Sequence, residues 1–125
     1  MDAIVVHGAL HCKSTISSNG DNMYKIVFYV PESHLEQVKT AVFDAGAGRV
    51  GCYQKCCWQV LGQGQFIPMI GSSPYLGEID TLERVAEYRV ELVCADNIVN
   101  AAIAALKSSH PYEEPAYDVW ALANL

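Results

Sequence analysis

The chain has 125 residues, enough for one domain with its own hydrophobic core. Hydrophobic residues make up 51% of the sequence and charged residues 18%, a balance that is typical of globular proteins. The formal net charge is −6, and the eight Lys and Arg residues are scattered, whereas a nucleic-acid-binding surface needs clustered cations. Since no apolar run approaches the roughly 18 residues of a membrane span, we expect neither nucleic acid nor a membrane as a partner.

Residues 1–22 read as an N-terminal extension and residues 23–125 as the domain itself. The extension begins without the basic segment and long apolar stretch of a signal peptide, and its residues 14–22 are polar and turn-forming. We expect its deletion to leave folding intact. The five cysteines, an odd number with one adjacent pair, form a poor disulfide framework. We therefore expect a cytoplasmic protein.

The first part of the domain predicts a strand followed by a helix. Residues 24–30 are β-branched and aromatic, as in a strand, and Pro31 ends the run. Ser33 and Glu36 have the spacing of a capping box, and Gly46 lies where a helix C-cap belongs. Between them, apolar residues recur at helical intervals: Leu35, Val38, Val42 and Ala45.

The second part predicts two strands, a helix and a last strand. Residues 56–61 form a second strand, and residues 86–94 alternate between apolar and charged side chains, as in a strand with one buried face. Asp96 is placed to cap a second helix, and residues 116–122 read as the last strand. The apolar stripe of that helix consists of Ile98, Val99, Ala102, Ile103 and Leu106.

The connection between the second and third strands, from about residue 63 to 84, is long for a compact domain. Its apolar side chains are Phe66, Ile67, Met69, Ile70, Tyr75 and Leu76. Because so many apolar groups are unfavourable in water, we expect this connection to dock on its own or on a neighbouring subunit.

The order β-α-β-β-α-β predicts an α+β fold of the ferredoxin-like type, an antiparallel sheet with both helices on one face. The other face of the sheet would then lack a helical cover. Its side chains are partly charged and partly apolar: Lys25, Val27, Tyr29, Trp58, Glu87, Arg89 and Glu91. A mixed face of this kind favours contact with copies of the same chain, and a solvated sheet with a few exposed aromatic rings is the alternative.

Four segments together resemble a known family: VPESHL at 30–35, DAGAGRVGCY at 44–53, GQGQF at 62–66 and HPYEEPAYD at 110–118. They are similar to the CutA/PII-like insert domain of bacterial Nif-three-like proteins, and the last segment also resembles that of CutA proteins. The resemblance covers about residues 23–122. It implies a CutA/PII-like ferredoxin-like fold and, by analogy with CutA and PII proteins, a homotrimer built on the open sheet face.

The resemblance brings no catalytic residue with it. It implies that the dinuclear metal site of full Nif-three-like proteins is built from His and carboxylate ligands in lobes that flank the insert, and we find no match to those lobes in this sequence. We therefore expect a binding module rather than an enzyme. A hydrolase ranks last, because the sequence offers no matched nucleophile, base and orienting residue.

Gly46, Gly48 and Gly51 match the G-x-G-x-x-G pattern of dinucleotide-binding loops. In such loops the glycines follow a strand and open a helix, so that the pyrophosphate meets the helix N-terminus. Here they close a helix and lead toward a strand. A tight turn with positive φ angles is the favoured interpretation, and a nest for a small anion beside Arg49 is the alternative.

Cys52, Cys56, Cys57 and His110 are candidate ligands for a divalent transition metal, the one cofactor that the sequence suggests. The C-x3-C-C spacing is not that of common zinc sites, and adjacent residues of a strand point to opposite faces. Packing of the cysteines in the core is therefore favoured. Metal binding is kept as the alternative function.

The segment 110–115 joins the second helix to the last strand. His110 is predicted in the last helical turn, where a cation complements the helix dipole, and Pro111 stops the helix. The segment also holds an imidazole, a phenol and two carboxylates. We predict a trimeric PII/CutA-like module that binds a small ligand or a protein partner in a cleft between subunits. The candidate ligand-binding residues are Gly48, Arg49, Gly64, Gln65, His110, Tyr112 and Glu113.

Overall fold

The structure, a computed structural model, describes residues 22–125. Of the predicted N-terminal extension, residues 1–21 lie outside the described residues, so the effect of deleting it stays a prediction. The described elements follow the predicted order: β1 Met23–Val30, α1 Leu35–Asp44, β2 Trp58–Phe66, β3 Glu83–Ala95, α2 Val99–Ser109 and β4 Tyr117–Ala121. A short 3-10 turn, Glu32–His34, leads from β1 into α1.

The four strands form one antiparallel sheet in the order β2-β3-β1-β4. β1 lies in the centre, where it pairs with β3 on one side and with β4 on the other. The two helices contact each other, and both pack against the same set of strand side chains. This is the ferredoxin-like fold that the element order predicted.

The core lies between the sheet and the helices, and strand alternation decides which side chains enter it. Phe28 of β1 faces Val90 of β3, and Ile26 faces Leu92. Burying each of these large side chains contributes about 1.5–3 kcal/mol. The helices complete the core with the apolar stripes that the sequence predicted; the fully or nearly fully buried members are Leu35, Val38, Val42, Ala102 and Leu106.

The glycine-rich segment after α1 is the predicted tight turn. Gly46, Gly48 and Gly51 have φ angles of 111°, 82° and 58°, which L-residues with a side chain rarely adopt. The amide of Gly48 donates to the carbonyl of Val93 at 2.8 Å. A side chain at position 48 would also lie 2.8 Å from the ring of Phe43. Backbone conformation and close packing therefore both explain this glycine.

The second strand differs from its predicted bounds. It begins at Trp58 rather than at residue 56 and continues to Phe66, so the GQGQF segment is strand rather than connection. Glycine and glutamine have low β-propensity, but this stretch pairs along its whole length with β3, and that pairing overrides the propensity. The connection to β3 is correspondingly shorter, covering residues 67–82.

The helix ends also differ from the predictions. Ser33 does not cap α1; its hydroxyl contacts Nδ1 of His34 at 2.9 Å. Asp96 does not cap α2, which begins two residues later than an Asp96 cap requires; its carboxylate accepts a hydrogen bond from the side chain of Asn22. His110 is not in the last helical turn but is extended, at φ −80° and ψ 141°, because Pro111 excludes helical angles from the residue before it.

None of the described helices combines the length and apolar character that crossing a membrane requires. The cytoplasmic location stays a prediction.

Candidate functional site

His110 ties the segment after α2 to the end of β1. One of its ring nitrogens, Nε2, lies 2.7 Å from the carbonyl oxygen of Tyr29, and the other, Nδ1, lies 3.1 Å from the amide nitrogen of Tyr112. The amide can only donate, so Nδ1 must be the acceptor. The proton of the neutral ring is therefore on Nε2, which donates to Tyr29. Burial lowers the pKa of His110, with a smaller contribution from His34, against the opposing effect of the Tyr29 carbonyl.

Tyr112 has a buried hydroxyl without a hydrogen-bond partner among residues 22–125. Its ring is enclosed by other rings, with centroids 4.9 Å from His110, 6.0 Å from Tyr75 and 6.5 Å from Phe66. Burial raises the pKa of the phenol to about 12, and the negative charge of Glu87 adds to this effect. A buried hydroxyl that lacks a partner loses its hydration without compensation, at a cost of about 1–3 kcal/mol.

Glu87 lies on β3, on the sheet face that the helices do not cover, opposite Gly62 of β2. Its carboxylate extends over Gly64, where a Cβ atom would overlap with it. The glycine thus leaves space for the acid. Burial raises the pKa of Glu87 above its usual value, because the charged form is partly deprived of water.

These groups line a cleft of about 580 Å³ between the β2–β3 connection and the segment after α2. The amide of Ser73 in the connection donates to the carboxylate of Glu113 at 3.0 Å and links the two walls. Four aromatic side chains and three carboxylates belong to the lining; they include Tyr29, Phe66, Tyr75, Glu87, Tyr112 and Glu113. This size is ordinary for a small-molecule site.

A second cavity of about 440 Å³ adjoins the cleft on the open sheet face and shares Glu87 and Gln65 with it. Arg89 forms its charged wall. The guanidinium donates to Glu91 at 3.0 Å and to the hydroxyl of Tyr29 at 3.4 Å. Lys25, the other cation of this face, also pairs with Glu91. Both cations therefore already have partners.

No family model matches the chain. The GTP cyclohydrolase 1 type 2 homolog of Mycobacterium leprae is 51% identical over 98 residues, which are 78% of this chain and 26% of that protein. A Bacillus cereus protein related to NIF3 has a solved structure with a TM-score of 0.73 and 38% identity, covering 87% of this chain and 28% of that chain. The chain is a homologue of the CutA/PII-like insert domain of Nif-three-like proteins. It spans about a quarter of the length of the curated relatives it matches.

More distant proteins share the fold. Bacillus subtilis GlnK has a TM-score of 0.56 at 12% identity, with 82% of this chain and 87% of that chain covered. CutA from Xylella fastidiosa has a TM-score of 0.59 at 20% identity, with 82% and 85% covered. Identities this low show the fold alone, and they confirm the CutA/PII-like architecture of this Nif-three-like domain.

The predicted ligand-binding residues of the domain separate into two groups. Gln65, Tyr112 and Glu113 line the cleft, Gly64 lines the adjoining cavity, and His110 packs behind Tyr112. Gly48 and Arg49 do not join them within one chain. Gly48 binds Val93, six residues along β3 from Glu87, or roughly 20 Å at the rise of a strand.

The predicted metal ligands of the domain do not form a metal site. Cys52 is disulfide-bonded, so its sulfur is not a thiolate that could bind a metal. Cys56 and Cys57 are free thiols whose pKa values are raised above 9.0, mainly by burial, which disfavours the thiolate that binds metal. Both ring nitrogens of His110 are engaged in hydrogen bonds. Within residues 22–125, no three His, Cys, Asp or Glu residues are grouped as metal ligands would be. Metal binding stays a prediction that the positions of these side chains do not support.

Sequence reasoning missed Glu87, Tyr29 and Tyr75 as parts of the site. The alternation of β3 predicted that Glu87 lies on the open face. The signal that could have singled it out is its pairing with Gly62 on β2, since a glycine leaves room for the side chain of its neighbour. Tyr75 carried no such signal, because its position depends on how residues 67–82 fold back onto the domain.

Proposed function

We propose that this protein is a PII/CutA-like binding module that holds a small ligand in the cleft beside Tyr112 and self-associates through its open sheet face. The relatives support a Nif-three-like domain of this fold. The ligand-binding role is supported by the cleft itself, and the self-association by the composition of the uncovered face.

The single observation that carries the ligand-binding role is the buried hydroxyl of Tyr112. Buried polar groups in folded proteins almost always have a partner. This one has none among residues 22–125, although it belongs to the lining of a cleft large enough for a small molecule. A ligand that forms a hydrogen bond with it would give the hydroxyl a partner and recover part of the energy that burying it costs.

The open sheet face supports self-association because it exposes large apolar side chains around a paired charge network. Trp58 on β2 and Trp120 on β4 are 52% and 46% exposed. Between them, Lys25 and Arg89 both pair with Glu91. A second copy that covers the tryptophans would remove apolar area from water, while Lys25, Arg89 and Glu91 stay paired with one another. We propose a homotrimer, as the resemblance to CutA and PII proteins implies.

The name of the Mycobacterium leprae relative refers to GTP cyclohydrolase, and we do not extend that activity to this chain. The match covers 26% of that protein. Within the described part of the chain, no cluster of His, Cys, Asp and Glu is grouped for metal-assisted hydrolysis. Binding in the cleft therefore fits these residues better than hydrolysis does.

The ligand-binding role is tested by NMR with the full chain labelled with ¹⁵N and a library of small carboxylates, phosphates, amines and neutral aromatic compounds. At least one compound should shift the amides of Gln65, Ser73 and Tyr112 and leave that of Gly48 unchanged. A library in which no compound perturbs the cleft amides, or in which every hit perturbs Gly48 equally, would contradict the role.

Light scattering tests the self-association separately. The full chain should have a mass about three times the 13.7 kDa of one chain, and Trp58→Lys, which places a charge on the open face, should reduce it to that of one chain. Glu32→Lys changes an exposed residue before α1, away from that face, and serves as the control. A monomeric wild-type protein at micromolar concentration would refute this part of the proposal.

A further inference from the structure

We propose that the ligand of this cleft is a small organic cation, a protonated amine attached to an aromatic or apolar group. This inference rests on the proposed ligand-binding function and narrows it to one class of compound. Three features of the cleft support it: the aromatic walls, the carboxylates and the phenol of Tyr112.

The walls of the cleft suit the apolar part of such a ligand. Tyr29, Phe66, Tyr75 and Tyr112 all belong to the lining. The ring centroids of Phe66 and Tyr75 lie 6.5 Å and 6.0 Å from that of Tyr112, in tilted contacts. Aromatic faces attract cations as well as apolar groups, because the ring quadrupole presents negative charge above its plane. An aromatic enclosure is therefore compatible with both halves of an aryl or alkyl amine.

The charge of the lining selects a cation over an anion. Glu87, Glu113 and Glu114 contribute carboxylates, and the residues that line the cleft in the described chain include no Lys, Arg or His. Arg89, two residues after Glu87 on β3, lines the adjoining cavity and already pairs with Glu91. A carboxylate or phosphate ligand would meet repulsion without a compensating cation.

Glu87 is the carboxylate that would recognise the ammonium group. It is half-buried, and its carboxylate makes no hydrogen bond within residues 22–125, whereas Glu113 already accepts from Ser73. A carboxylate that has lost part of its hydration and lacks a cationic partner is less favourable than one in water. An ammonium group beside Glu87 would supply that partner, and the hydrogen bond formed between two charged groups is about twice as strong as a neutral one.

The hydroxyl of Tyr112 offers a second polar contact in the same cleft. Tyr112 and Glu87 both belong to its lining, and no hydrogen bond joins them. An ammonium group that contacts both would donate to the carboxylate of Glu87 and to the phenol oxygen of Tyr112. This separates an amine or amino alcohol from a purely apolar ligand.

The test is calorimetric titration of the full chain with three probes that share a phenyl ring and differ in terminal charge. They are 2-phenylethylamine, the neutral 2-phenylethanol and the anionic 3-phenylpropionate. The amine should bind with a Kd of about 1 mM or tighter and about tenfold more tightly than the alcohol, and the carboxylate should not bind. Equal or tighter binding of the alcohol or the carboxylate would overturn the inference and leave the proposed ligand-binding role intact.

Variants then assign the contact. Glu87→Gln should weaken amine binding by about ten- to a hundredfold, and Tyr112→Phe by about two- to tenfold. Glu78→Gln removes a carboxylate from an exposed position of the same connection, outside the cleft, and should leave the affinity unchanged. An affinity that is unaffected by Glu87→Gln would overturn the inference.

One measurement on the wild-type protein keeps the test decisive if a variant fails to fold. The affinity for 2-phenylethylamine should fall as pH drops through the raised pKa of Glu87, because the protonated acid no longer attracts the ammonium group. An affinity that does not change over this range would overturn the inference.

The library and the three probes together separate the two proposals. If no probe binds but the library yields a neutral or anionic ligand of the same cleft, only the proposed ligand class is wrong. If no compound of the library binds, the ligand-binding role is wrong as well.

Discussion

The ring of His110 donates a hydrogen bond from Nε2 to the main-chain carbonyl of Tyr29, at 2.7 Å. This bond extends the pairing of β1 past Tyr117, the first residue of β4. The amide of Tyr29 donates to Ala116 on the same edge, at 3.3 Å, just before β4 begins at Tyr117. The side chain of His110 thus supplies the partner that the strand no longer provides. It also holds Tyr112 in the cleft through its second nitrogen.

Replacing His110 should destabilise the protein more than replacing the other histidine of the described chain. His110→Leu leaves the Tyr29 carbonyl and the Tyr112 amide without their partner, and we expect a loss of about 2–4 kcal/mol in the free energy of unfolding. His34, whose ring bonds the exposed Ser33, is the matched control, and His34→Leu should cost less than about 1 kcal/mol. Urea unfolding measures both, and equal losses would contradict the role of His110.

Acidification should weaken the fold through His110. Burial lowers the pKa of this residue in the folded protein below the 6.5 of the free side chain. Between these two values the unfolded chain binds the proton and the folded one does not, so the free energy of unfolding falls as pH drops through this window. Below the folded pKa the contribution levels off.

The wild-type protein and His110→Gln separate this effect from other titrations. Glutamine cannot take up a proton, and its amide can still donate to Tyr29. Urea unfolding between about pH 7.5 and 5.5 should show a smaller loss of stability for the variant than for the wild type. Parallel pH curves for the two proteins would show that His110 is not the group responsible.

Removing the hydroxyl of Tyr112 should not destabilise the protein in the absence of a ligand. Most buried Tyr→Phe changes lose a hydrogen bond, but this hydroxyl has no partner in the described chain. Tyr112→Phe should therefore leave the free energy of unfolding unchanged or raise it by up to about 1 kcal/mol. Thermal and urea unfolding measure the difference, and a loss of 1 kcal/mol or more would mean that the hydroxyl is bonded in the free protein.

Gly64 and Gly62 offer a matched pair for testing how the acid of the cleft is positioned. A Cβ at Gly64 would overlap with the carboxylate of Glu87, whereas one at Gly62 meets no heavy atom within 4 Å. In Gly64→Ala the flexible carboxylate should move outward, and the pKa of Glu87 should return toward 4.5. Gly62→Ala should leave it raised. NMR titration of the side-chain carboxyl distinguishes them, and identical pKa values in the two variants would contradict this account.

Most of the fold could be predicted because periodicity and packing agree along the chain. The alternation of β3 and the helical stripe of α1 predict which side chains enter the core, and these side chains, such as Val90 and Val38, are buried in the structure. The glycine turn was predictable from its context between a helix and a strand. The extent of β2 was not, because its glycines are ordered by pairing with a strand that is distant in sequence.

The site was only partly predictable. The segment that contains Tyr112 and Glu113 stood out by composition, and the structure places both in the cleft. Glu87 and Tyr75 come from two other parts of the chain, and tertiary packing alone brings them to Tyr112. Arg49, which was predicted from its place beside the glycines, lies exposed on the turn after α1 and outside the cleft of one chain, so its part in a cleft between subunits stays a prediction.

The central claim, that this cleft recognises a small amine, is tested most directly by a crystal structure of the protein with 2-phenylethylamine. We predict electron density in the cleft, with the amine nitrogen within hydrogen-bonding distance of the Glu87 carboxylate and the phenyl ring against Phe66 or Tyr75. The hydroxyl of Tyr112 should then have a partner. An empty cleft at a saturating amine concentration, or density only elsewhere on the surface, would contradict the claim.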